Sequence, residues 1–360
     1  MSKLYIIAEA GVNHNGDSEM AFKLVDAAVE AGADAVKFQT FKSEHLVTKN
    51  ADKAYYQKQT TSSDETHFEM LKRLELPQAL HYDLIEYCKD REIDFLTTAF
   101  DLESLSFLST KLELKTLKIP SGEITNGPLL LAYAKTGCEL IVSTGMASLG
   151  EVEDALGVLA FGFLNKNDVL KYPSREYFKE AYISESGQQL LKDKVTLLHC
   201  TTEYPAPLQD INLSAMVTMR NAFSLRTGYS DHSEGIIVPI TAVAMGATLI
   251  EKHFTLDKNL HGPDHKASLN PDELTIMVNA IRDVEQVLGN GIKAPTPSEL
   301  KNLVVVRKSL VASKNISKGD IFTKDNIAIK RPGIGKSPME YWDIMKKNSQ
   351  FDYCIDEVIN

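Results

Sequence analysis

The amino-acid sequence predicts an α/β protein: a (β/α)8 TIM barrel followed by a small β-rich domain. Eight short apolar runs alternate with segments of helical period, and such alternation implies a parallel sheet. The eight units occupy roughly 250 residues, which is the usual size of a (β/α)8 barrel. A doubly wound open sheet is the alternative, but the chain contains no glycine-rich dinucleotide fingerprint to support it.

The predicted strands are apolar runs that end in polar residues, and segments of helical period follow them. In the first such segment, residues 19–31, Phe22, Val25, Ala28 and Val29 recur at helical spacing, and Gly32 offers a stop. The eight strand predictions are residues 4–12, 35–41, 93–100, 116–121, 140–145, 195–202, 225–232 and 248–256.

Two segments are longer than an even repeat of strands and helices requires. Residues 42–63 exceed a usual βα loop, so we expect them to reach over the mouth of the barrel. Residues 165–194 are similarly polar and are predicted to form a helical or surface excursion between the fifth and sixth strands.

The pattern changes after the eighth unit. Residues 289–303 are rich in glycine and proline and are interpreted as a linker. Short apolar runs broken by turn signals follow. The predicted organisation is therefore a barrel domain over residues 1–288, a linker over 289–303 and a strand-rich domain over 304–360.

The composition and net charge of the chain limit the kinds of partner that it can bind. Hydrophobic residues make up 43% of the chain and charged residues 24%, as is ordinary for a globular protein. The formal net charge of -10 argues against a nucleic-acid or anionic-membrane partner, because both reward clustered Lys and Arg. An anionic small substrate would need a local basic site.

The cysteines and the N-terminus predict a cytoplasmic location. Cys88, Cys138, Cys200 and Cys354 are scattered without CxxC spacing, which favours neither a zinc knuckle nor a disulfide framework. The first apolar run is interrupted by Glu9 and is too short for a signal peptide. No run approaches the ~20 apolar residues that span a bilayer.

Polar and charged residues gather where the predicted strands end, which is where barrels of this kind build their active sites. Ser and Thr at such ends commonly serve turns and helix caps, so Ser143 and Thr144 have that alternative. The residues concerned are Glu9, Asn13, His14, Lys37, Gln39, Thr98, Lys118, Ser121, Glu123, Ser143, Thr144, Thr202, Tyr204, Ser230, His232, Glu251 and His253.

Two lysines and two histidines in this set carry the chemical prediction. Lys37 and Lys118 lie within strands, where an ammonium is costly without an anionic partner, so a ligand with phosphate and carboxylate is favoured. His232 shares strand parity with Ser230, and His253 with Glu251. The two imidazoles are either ligands of a divalent metal ion or hydrogen-bonded interior residues.

Together these groups favour carbon–carbon bond formation on an acidic phosphorylated substrate with help from a metal ion. A Schiff-base aldolase is the competing enzyme class, with Lys37 or Lys118 as the nucleophile. A sugar-binding or interaction protein on an inactive barrel is the third alternative, which the density of ionisable groups disfavours.

The chain resembles the bacterial sialic acid (nonulosonic acid) synthases from about Ile6 to its end. The resemblance implies a (β/α)8 barrel followed by an antifreeze-like (SAF) domain. It implies condensation of phosphoenolpyruvate with an open-chain N-acetylated amino sugar, with release of phosphate. The motifs that carry it are AEAGVNHNGD, AVKFQTFK, KIPSGEITN, STGMAS, HCTTEYPAP, GYSDHS, IEKHFTLD, GPDHKAS and KRPGIG.

The resemblance also implies roles for single residues. His232 and His253 would hold a divalent ion, commonly Mn²⁺ or Mg²⁺, and Glu9 and Glu123 would orient water, the metal site or the sugar. The residues expected at phosphoenolpyruvate are Lys37, Thr98, Lys118, Ser121, Ser143, Thr202 and Ser230. The residues expected at the sugar are Tyr204, Asp264 and Arg331, the last from the partner subunit of a domain-swapped homodimer.

One position departs from the family pattern. Thr202 stands where some members have asparagine in the motif HCTNxYP, and a hydroxyl offers one donor where an amide offers two. The first expectation for the acceptor sugar is N-acetylmannosamine, which gives N-acetylneuraminate. The alternative is 2,4-diacetamido-2,4,6-trideoxymannose, the precursor of legionaminic acid, because the loop at residues 53–71 resembles that of synthases that accept either sugar.

Overall fold

The computed structural model describes residues 3–62, 64–168 and 172–360. Ser63, which ends the first long segment, and residues 169–171 of the second lie outside the described residues. The chain divides into two compact units, residues 1–289 and 290–360.

The first unit is a closed barrel of parallel strands in sequential order, β1 to β8. Each strand coincides with one of the predicted runs, and parallel pairing places the carboxyl ends of all eight at one rim. The strands are Tyr5–Gly11, Ala35–Thr40, Asp94–Ala99, Thr116–Ile119, Glu139–Ser143, Val195–Cys200, Arg226–Asp231 and Leu249–His253.

The helices of this unit surround the barrel or extend its loops. The predicted first helix is confirmed, and Asp17 caps it by accepting hydrogen bonds from the Glu19 and Met20 amides. Helices α1 to α13 are Ser18–Glu30, Ser43–Leu46, Tyr55–Thr60, His67–Leu74, Gln78–Asp90, Leu102–Ser106, Gly127–Thr136, Leu149–Leu164, Arg175–Ile183, Glu185–Lys194, Ser214–Phe223, Ile237–Ala244 and Pro271–Leu288.

A layer of apolar side chains fills the barrel interior below the functional rim. It consists of Ile7, Ala35, Leu96, Ile141, Leu198 and Leu249, all of them buried. Strand residues of the opposite parity face the helices and form two larger clusters with them. The interior layer closes the barrel, so a ligand has access only from the rim above it.

The end of the barrel opposite this rim is tied together by ion pairs. The Asp34 carboxylate lies 2.5 Å from the Arg282 guanidinium and 2.5 Å from the Lys3 ammonium, and it accepts the Ile6 amide at 2.8 Å. Glu285 accepts the Leu4 amide at 2.5 Å and pairs with Arg282 at 3.0 Å. These contacts join the N-terminal residues, the loop between α1 and β2, and α13, and they are called the lower network below.

Both long segments contain helices. Residues 42–63 include α2 and α3, while α9 and α10 occupy the later part of residues 165–194. The predicted excursion between the fifth and sixth strands is therefore helical where the structure describes it.

The second unit confirms the predicted small β-rich domain. Strands β9, Ser309–Ala312, and β10, Ile327–Lys330, pair antiparallel, and isolated bridges such as Ile316 with Tyr353 supplement them. Helix α14, Pro297–Val306, begins inside the segment interpreted as a linker, and α15 covers Tyr341–Ile344. A separate small core holds this unit together. Within the described part of the chain, no helix combines the length and apolar character needed to cross a bilayer.

Candidate active site

A cavity of about 340 Å³ opens at the carboxyl ends of the strands. All of the residues to which the family resemblance gave a role line it, except Glu123 and Arg331. The strand-end residues Asn13, His14 and Thr144 do not line it. The ones brought together are Glu9, Lys37, Thr98, Lys118, Ser121, Ser143, Thr202, Tyr204, Ser230, His232, His253 and Asp264. Its size and mixed lining are those of a small-molecule site.

Two lysines and two glutamates form a buried charge cluster at the base of the cavity. The Lys37 ammonium lies 2.6 Å from the Glu9 carboxylate and 3.5 Å from that of Glu251. The Lys118 ammonium lies 3.7 Å from Glu251. Strand pairing dictates this arrangement, because Glu9 is the register partner of Lys37 and Ser230 is that of Glu251. The sequence had placed Glu251 among the polar strand ends without giving it a role.

The two carboxylates differ in their protonation. Burial raises the pKa of Glu9 to about 7, despite the contact with Lys37. Burial acts in the same direction on Glu251, but Lys118, Lys37 and the Ser230 hydroxyl outweigh it and lower the pKa of Glu251 to about 2. Glu251 is therefore the permanent anion that stabilises the two ammonium groups, while Glu9 can exchange a proton near neutral pH.

The two lysines also differ in the direction of their pKa shifts. Burial opposes the charge of Lys37, but Glu251 and Glu9 raise its pKa above the ordinary value. Burial lowers the pKa of Lys118, and Glu251 only partly offsets it. Lys118 donates to the Ser143 hydroxyl at 2.7 Å, and Lys37 donates to Thr98 at 3.1 Å. An incoming anion would find both cations already oriented.

Hydroxyl groups and a backbone amide continue this anion-compatible surface. The Ser121 hydroxyl accepts from the Gly145 amide at 3.0 Å, and the Thr202 hydroxyl oxygen is buried without a hydrogen-bond partner. A Cβ atom on Gly145 would come within 2.2 Å of that Thr202 oxygen. Glycine is therefore required here because the backbone approaches both hydroxyls closely.

The imidazoles of His232 and His253 lie side by side, with ring centroids 5.5 Å apart. Nδ1 of His232 lies 2.7 Å from the Thr201 carbonyl oxygen, which can only accept, so this nitrogen carries the proton. Nε2 therefore keeps its lone pair, with the Tyr204 hydroxyl at 3.1 Å. In metal sites, the ring nitrogen that does not bind the ion usually donates in this way.

His253 offers a second lone pair. Its Nδ1 is buried without a hydrogen-bond partner, 4.0 Å from the Asp264 carboxylate. Burial lowers the pKa of both imidazoles, and His232 lowers that of His253 further, so both rings are neutral at pH 7. Neutral imidazole is the form that binds metal ions.

The residues present thus fit a divalent ion that takes two nitrogen ligands from the protein. Within the described ranges, no group of three or more His, Cys, Asp or Glu side chains is arranged to hold a metal ion. The remaining coordination positions would be open to oxygen atoms of water or substrate, as in catalytic rather than structural sites.

The segment at residues 42–74 covers one side of the mouth, as predicted for its first part. Its side chains in the cavity include Tyr56, Gln57 and His67, which sequence reasoning did not single out. The Tyr56 ring packs on Tyr204 at a centroid distance of 4.9 Å, and Tyr204 packs on His232 at 4.1 Å. The available signals were the unusual length of the loop and the resemblance of residues 53–71 to the loop of related synthases.

The same side of the cavity is strongly apolar. We call its eight lining side chains the apolar wall, and they also form one hydrophobic cluster. They are Val12, Phe41, Leu46, Val47, Met70, Leu71, Leu74 and Phe100. The cavity therefore has a charged base and a hydrophobic flank.

Two predicted site residues lie elsewhere. Glu123 follows Ser121 in a short 3-10 turn and accepts from the Asn126 side chain at 2.7 Å, outside the cavity lining. Arg331 belongs to the second unit, where its Nε donates to the Val306 carbonyl at 2.9 Å. The roles predicted for them stay predictions.

The fold and the site define a class: a (β/α)8-barrel enzyme whose cavity suits an anionic ligand and a divalent ion. The profile of the NeuB family matches residues 24–293, and that of the SAF domain matches residues 307–347. The chain belongs to the NeuB family of sialic and related nonulosonic acid synthases.

Individual relatives agree with this assignment. The chain is 48% identical to an N,N'-diacetyllegionaminic acid synthase of Campylobacter jejuni over 359 residues, covering 100% of this chain and 99% of the relative. It is 48% identical to the enzyme of that name from Legionella pneumophila, covering 95% and 89%. The crystal structure of an N-acetylneuraminic acid synthetase from Leptospira borgpetersenii is 34% identical, with a TM-score of 0.66, covering 84% and 90%.

Proposed function

We propose that this protein condenses phosphoenolpyruvate with 2,4-diacetamido-2,4,6-trideoxymannose to give N,N'-diacetyllegionaminic acid and phosphate. The observation that carries the choice of sugar is the 48% identity over nearly the whole chain to two synthases of that name. The comparisons thus favour the alternative expectation from the sequence over N-acetylmannosamine. The apolar wall supports the same choice, because a 6-deoxy sugar carries a methyl group where N-acetylmannosamine carries a hydroxyl.

In this reaction the charged base of the cavity would hold phosphoenolpyruvate. Lys37 and Lys118 would bind its carboxylate and phosphate, assisted by the hydroxyls of Thr98, Ser121 and Ser143. Thr202 and Ser230 extend the same surface. Because Glu251 stays ionised, it keeps both lysines charged and oriented before the substrate arrives.

The upper part of the cavity would hold the open-chain sugar. His232 and His253 would bind a divalent ion, Mn²⁺ or Mg²⁺, which when bound polarises a substrate carbonyl. Tyr204 packs against both imidazoles and fixes their orientation, while Asp264 would contact a sugar hydroxyl. Burial raises the pKa of Asp264 to about 7, so it can donate as well as accept a hydrogen bond.

The chemistry requires a new carbon–carbon bond between the enol carbon and the sugar aldehyde, then addition of water, then loss of phosphate. Glu9 is placed to accept the proton that the water molecule loses when it adds. Its carboxyl group has a pKa of about 7 and lies 3.4 Å from the Gln39 amide and 2.6 Å from Lys37. It can therefore take a proton from water during its addition.

A second copy of the chain would complete the site. The family resemblance implies that Arg331 of a domain-swapped homodimer contacts the N-acetyl group of the sugar. An Arg331→Ala variant should then raise KM for the sugar more than KM for phosphoenolpyruvate. An unchanged sugar KM, or a monomer of full activity by light scattering, would contradict this role.

The test of the proposed function is phosphate release from phosphoenolpyruvate, with Mn²⁺ or with chelator, in the presence of each sugar. We expect metal-dependent turnover with a higher kcat/KM for the diacetamido sugar. A higher value for N-acetylmannosamine would return the assignment to N-acetylneuraminate synthesis. Phosphate release with neither sugar would contradict the synthase, and a borohydride-trapped imine would indicate a Schiff-base aldolase instead.

A further inference from the structure

We propose that Gln57 and His67 recognise the 4-acetamido group of the sugar, and that the apolar wall receives its methyl group together with the 6-methyl group. This inference rests on the proposed function and names the residues that would select the diacetamido sugar. None of these side chains belongs to the charge cluster or to the imidazole pair described above.

Gln57 and His67 lie on a different side of the cavity from the charged base. Gln57 lies on α3 and His67 begins α4, and both line the cavity on the side of the apolar wall. An acetamido group presents one N–H donor, one carbonyl acceptor and one methyl group. Its recognition therefore needs one acceptor, one donor and an apolar surface close together.

Gln57 can supply the donor. Its Oε1 atom already accepts the Ala54 amide at 3.0 Å, which fixes the orientation of the side chain. Its Nε2 atom makes only a long contact of 3.4 Å to the Tyr56 hydroxyl. An amide nitrogen carries two hydrogens, so at least one N–H remains for the carbonyl oxygen of a ligand.

His67 can supply the acceptor. Its Nδ1 atom is buried and has no hydrogen-bond partner. Burial lowers the pKa of the ring, although a hydrogen bond to the Asp52 backbone opposes the shift, so the ring is neutral at pH 7. In the neutral tautomer that carries its proton on Nε2, Nδ1 is a free acceptor for an amide N–H. A buried polar atom without a partner is unfavourable until a ligand satisfies it.

The apolar wall completes the match to the sugar. Met70, Leu71 and Leu74 project from one face of α4, directly after His67, and Phe41 and Val47 pack with them. Methyl groups gain from contact with such a surface, whereas the hydroxyl at C6 of N-acetylmannosamine would lose water there without a partner. One methyl group in a hydrophobic pocket is worth about tenfold in kcat/KM.

The experiment compares Gln57→Ala, His67→Ala and His67→Asn with wild type, using the metal-loaded full-length enzyme. Values of kcat/KM are measured for both sugars, and KM is measured for phosphoenolpyruvate. Asparagine places an oxygen acceptor close to the position of Nδ1, so it should rescue what alanine removes. Tyr55→Ala is the matched control, because Tyr55 lies on the same helix, is 75% exposed and does not line the cavity.

We expect each alanine variant to lower kcat/KM for the diacetamido sugar by roughly 10- to 100-fold, because a buried hydrogen-bonding group is left unpaired. The value for N-acetylmannosamine should change less than threefold, and KM for phosphoenolpyruvate should not change. His67→Asn should recover most of the loss, and Tyr55→Ala should match wild type.

Two results would overturn the inference while leaving the proposed function in place. The first is an equal loss with both sugars, which would mean that these residues only shape the segment. The second is a wild-type preference for the diacetamido sugar that both alanine variants retain. Failure of the proposed function would be recognised from the wild-type enzyme alone, because its kcat/KM would then not be higher for the diacetamido sugar.

Discussion

Both ends of the barrel contain acidic and basic side chains, but they differ in how completely their polar groups are paired. At the lower network, Asp34 has three partners within 2.8 Å, and Glu285 pairs with both Arg282 and a backbone amide. At the functional rim, polar atoms of Thr202 and His253 are buried without partners. Like charges, Glu9 and Glu251, also share one ammonium there.

The difference is the one expected if the lower network stabilises the fold and the functional rim binds the substrates. A buried polar group without a partner is destabilising, so a rim that keeps several of them lowers the stability of the barrel. Those same atoms are the ones that a ligand or ion can satisfy. Variants at the rim should therefore change activity more than stability, and variants at the lower network should do the reverse.

The largest expected effect follows from replacing both imidazoles at the rim. His232→Ala with His253→Ala should lower kcat/KM by roughly 10³-fold or more, because two ligands of the divalent ion would be lost. The melting temperature should stay within a few degrees of wild type, since both rings line the open cavity rather than the packed core. Phosphate release and thermal unfolding measure the two effects.

Chelation of wild-type enzyme is the control for that variant, because it should lower activity to a similar level. If the double variant kept metal-dependent turnover, the imidazoles would not be the ligands. If it unfolded at a much lower temperature, the rim would be stabilising the barrel, contrary to the comparison.

A smaller effect is expected at the opposite end. Arg282→Ala removes one partner of Asp34 and one of Glu285, and it should lower the free energy of unfolding by about 2 kcal/mol. Because these groups lie at the far end of the barrel, kcat/KM should change less than twofold. Urea denaturation and the phosphate assay provide the measurements.

Lys3→Ala is the matched control for the lower network. Its ammonium also pairs with Asp34, but the side chain is 68% exposed, so its removal should have little effect on stability. A comparable loss in both variants would mean that the network acts through net charge rather than through buried contacts.

The smallest effect concerns the pH dependence of stability. Burial lowers the pKa of His14 to about 4, and its Nδ1 accepts the Gly16 amide at 3.0 Å. Because this folded-state pKa lies below the unfolded value of about 6.5, stability is full above pH 6.5 and falls as pH drops toward 4. Between pH 7.5 and pH 5.5, the free energy of unfolding should therefore fall by about 1 kcal/mol less in His14→Gln than in wild type.

The lower network should not contribute to the pH dependence of stability between pH 7.5 and pH 5.5. Although burial opposes it, hydrogen bonds from Lys3, Ile6 and Arg282 hold the pKa of Asp34 below its ordinary value. Its stabilisation is therefore present above the unfolded pKa and is lost only in stronger acid. Urea denaturation of Arg282→Ala at pH 7.5 and 5.5 tests this, since its deficit against wild type should be equal at both values.

Sequence periodicity was sufficient to predict the barrel and its eight strands. Each strand is a short apolar run, and the alternation of strand and helix leaves few topologies. Parity was equally informative at the rim. Ser230 donates to Glu251 at 2.8 Å on the cavity side, whereas Asp231 and Lys252, of opposite parity, form a buried ion pair at 2.6 Å away from the cavity lining.

The remaining features depend on contacts that no local pattern encodes. Tyr56, Gln57 and His67 have ordinary sequence surroundings, and only the folding of residues 42–74 over the rim brings them to the cavity. The pKa difference between Glu9 and Glu251 also arises from three-dimensional distances to Lys37 and Lys118. The β-rich character of the second unit was predicted, but no local pattern indicated which of its residues pair only through single bridges.

The origin of the apolar wall in the chain has an evolutionary consequence. Six of its eight residues, together with Gln57 and His67, lie in one continuous stretch between β2 and α5. The charged groups and imidazoles instead lie on the strands or, for His232, directly after one. If the proposed role of these residues is correct, acceptor preference and bond formation depend on separable parts of the chain. Exchange of residues 41–74 between relatives of different sugar preference should then carry the preference with it.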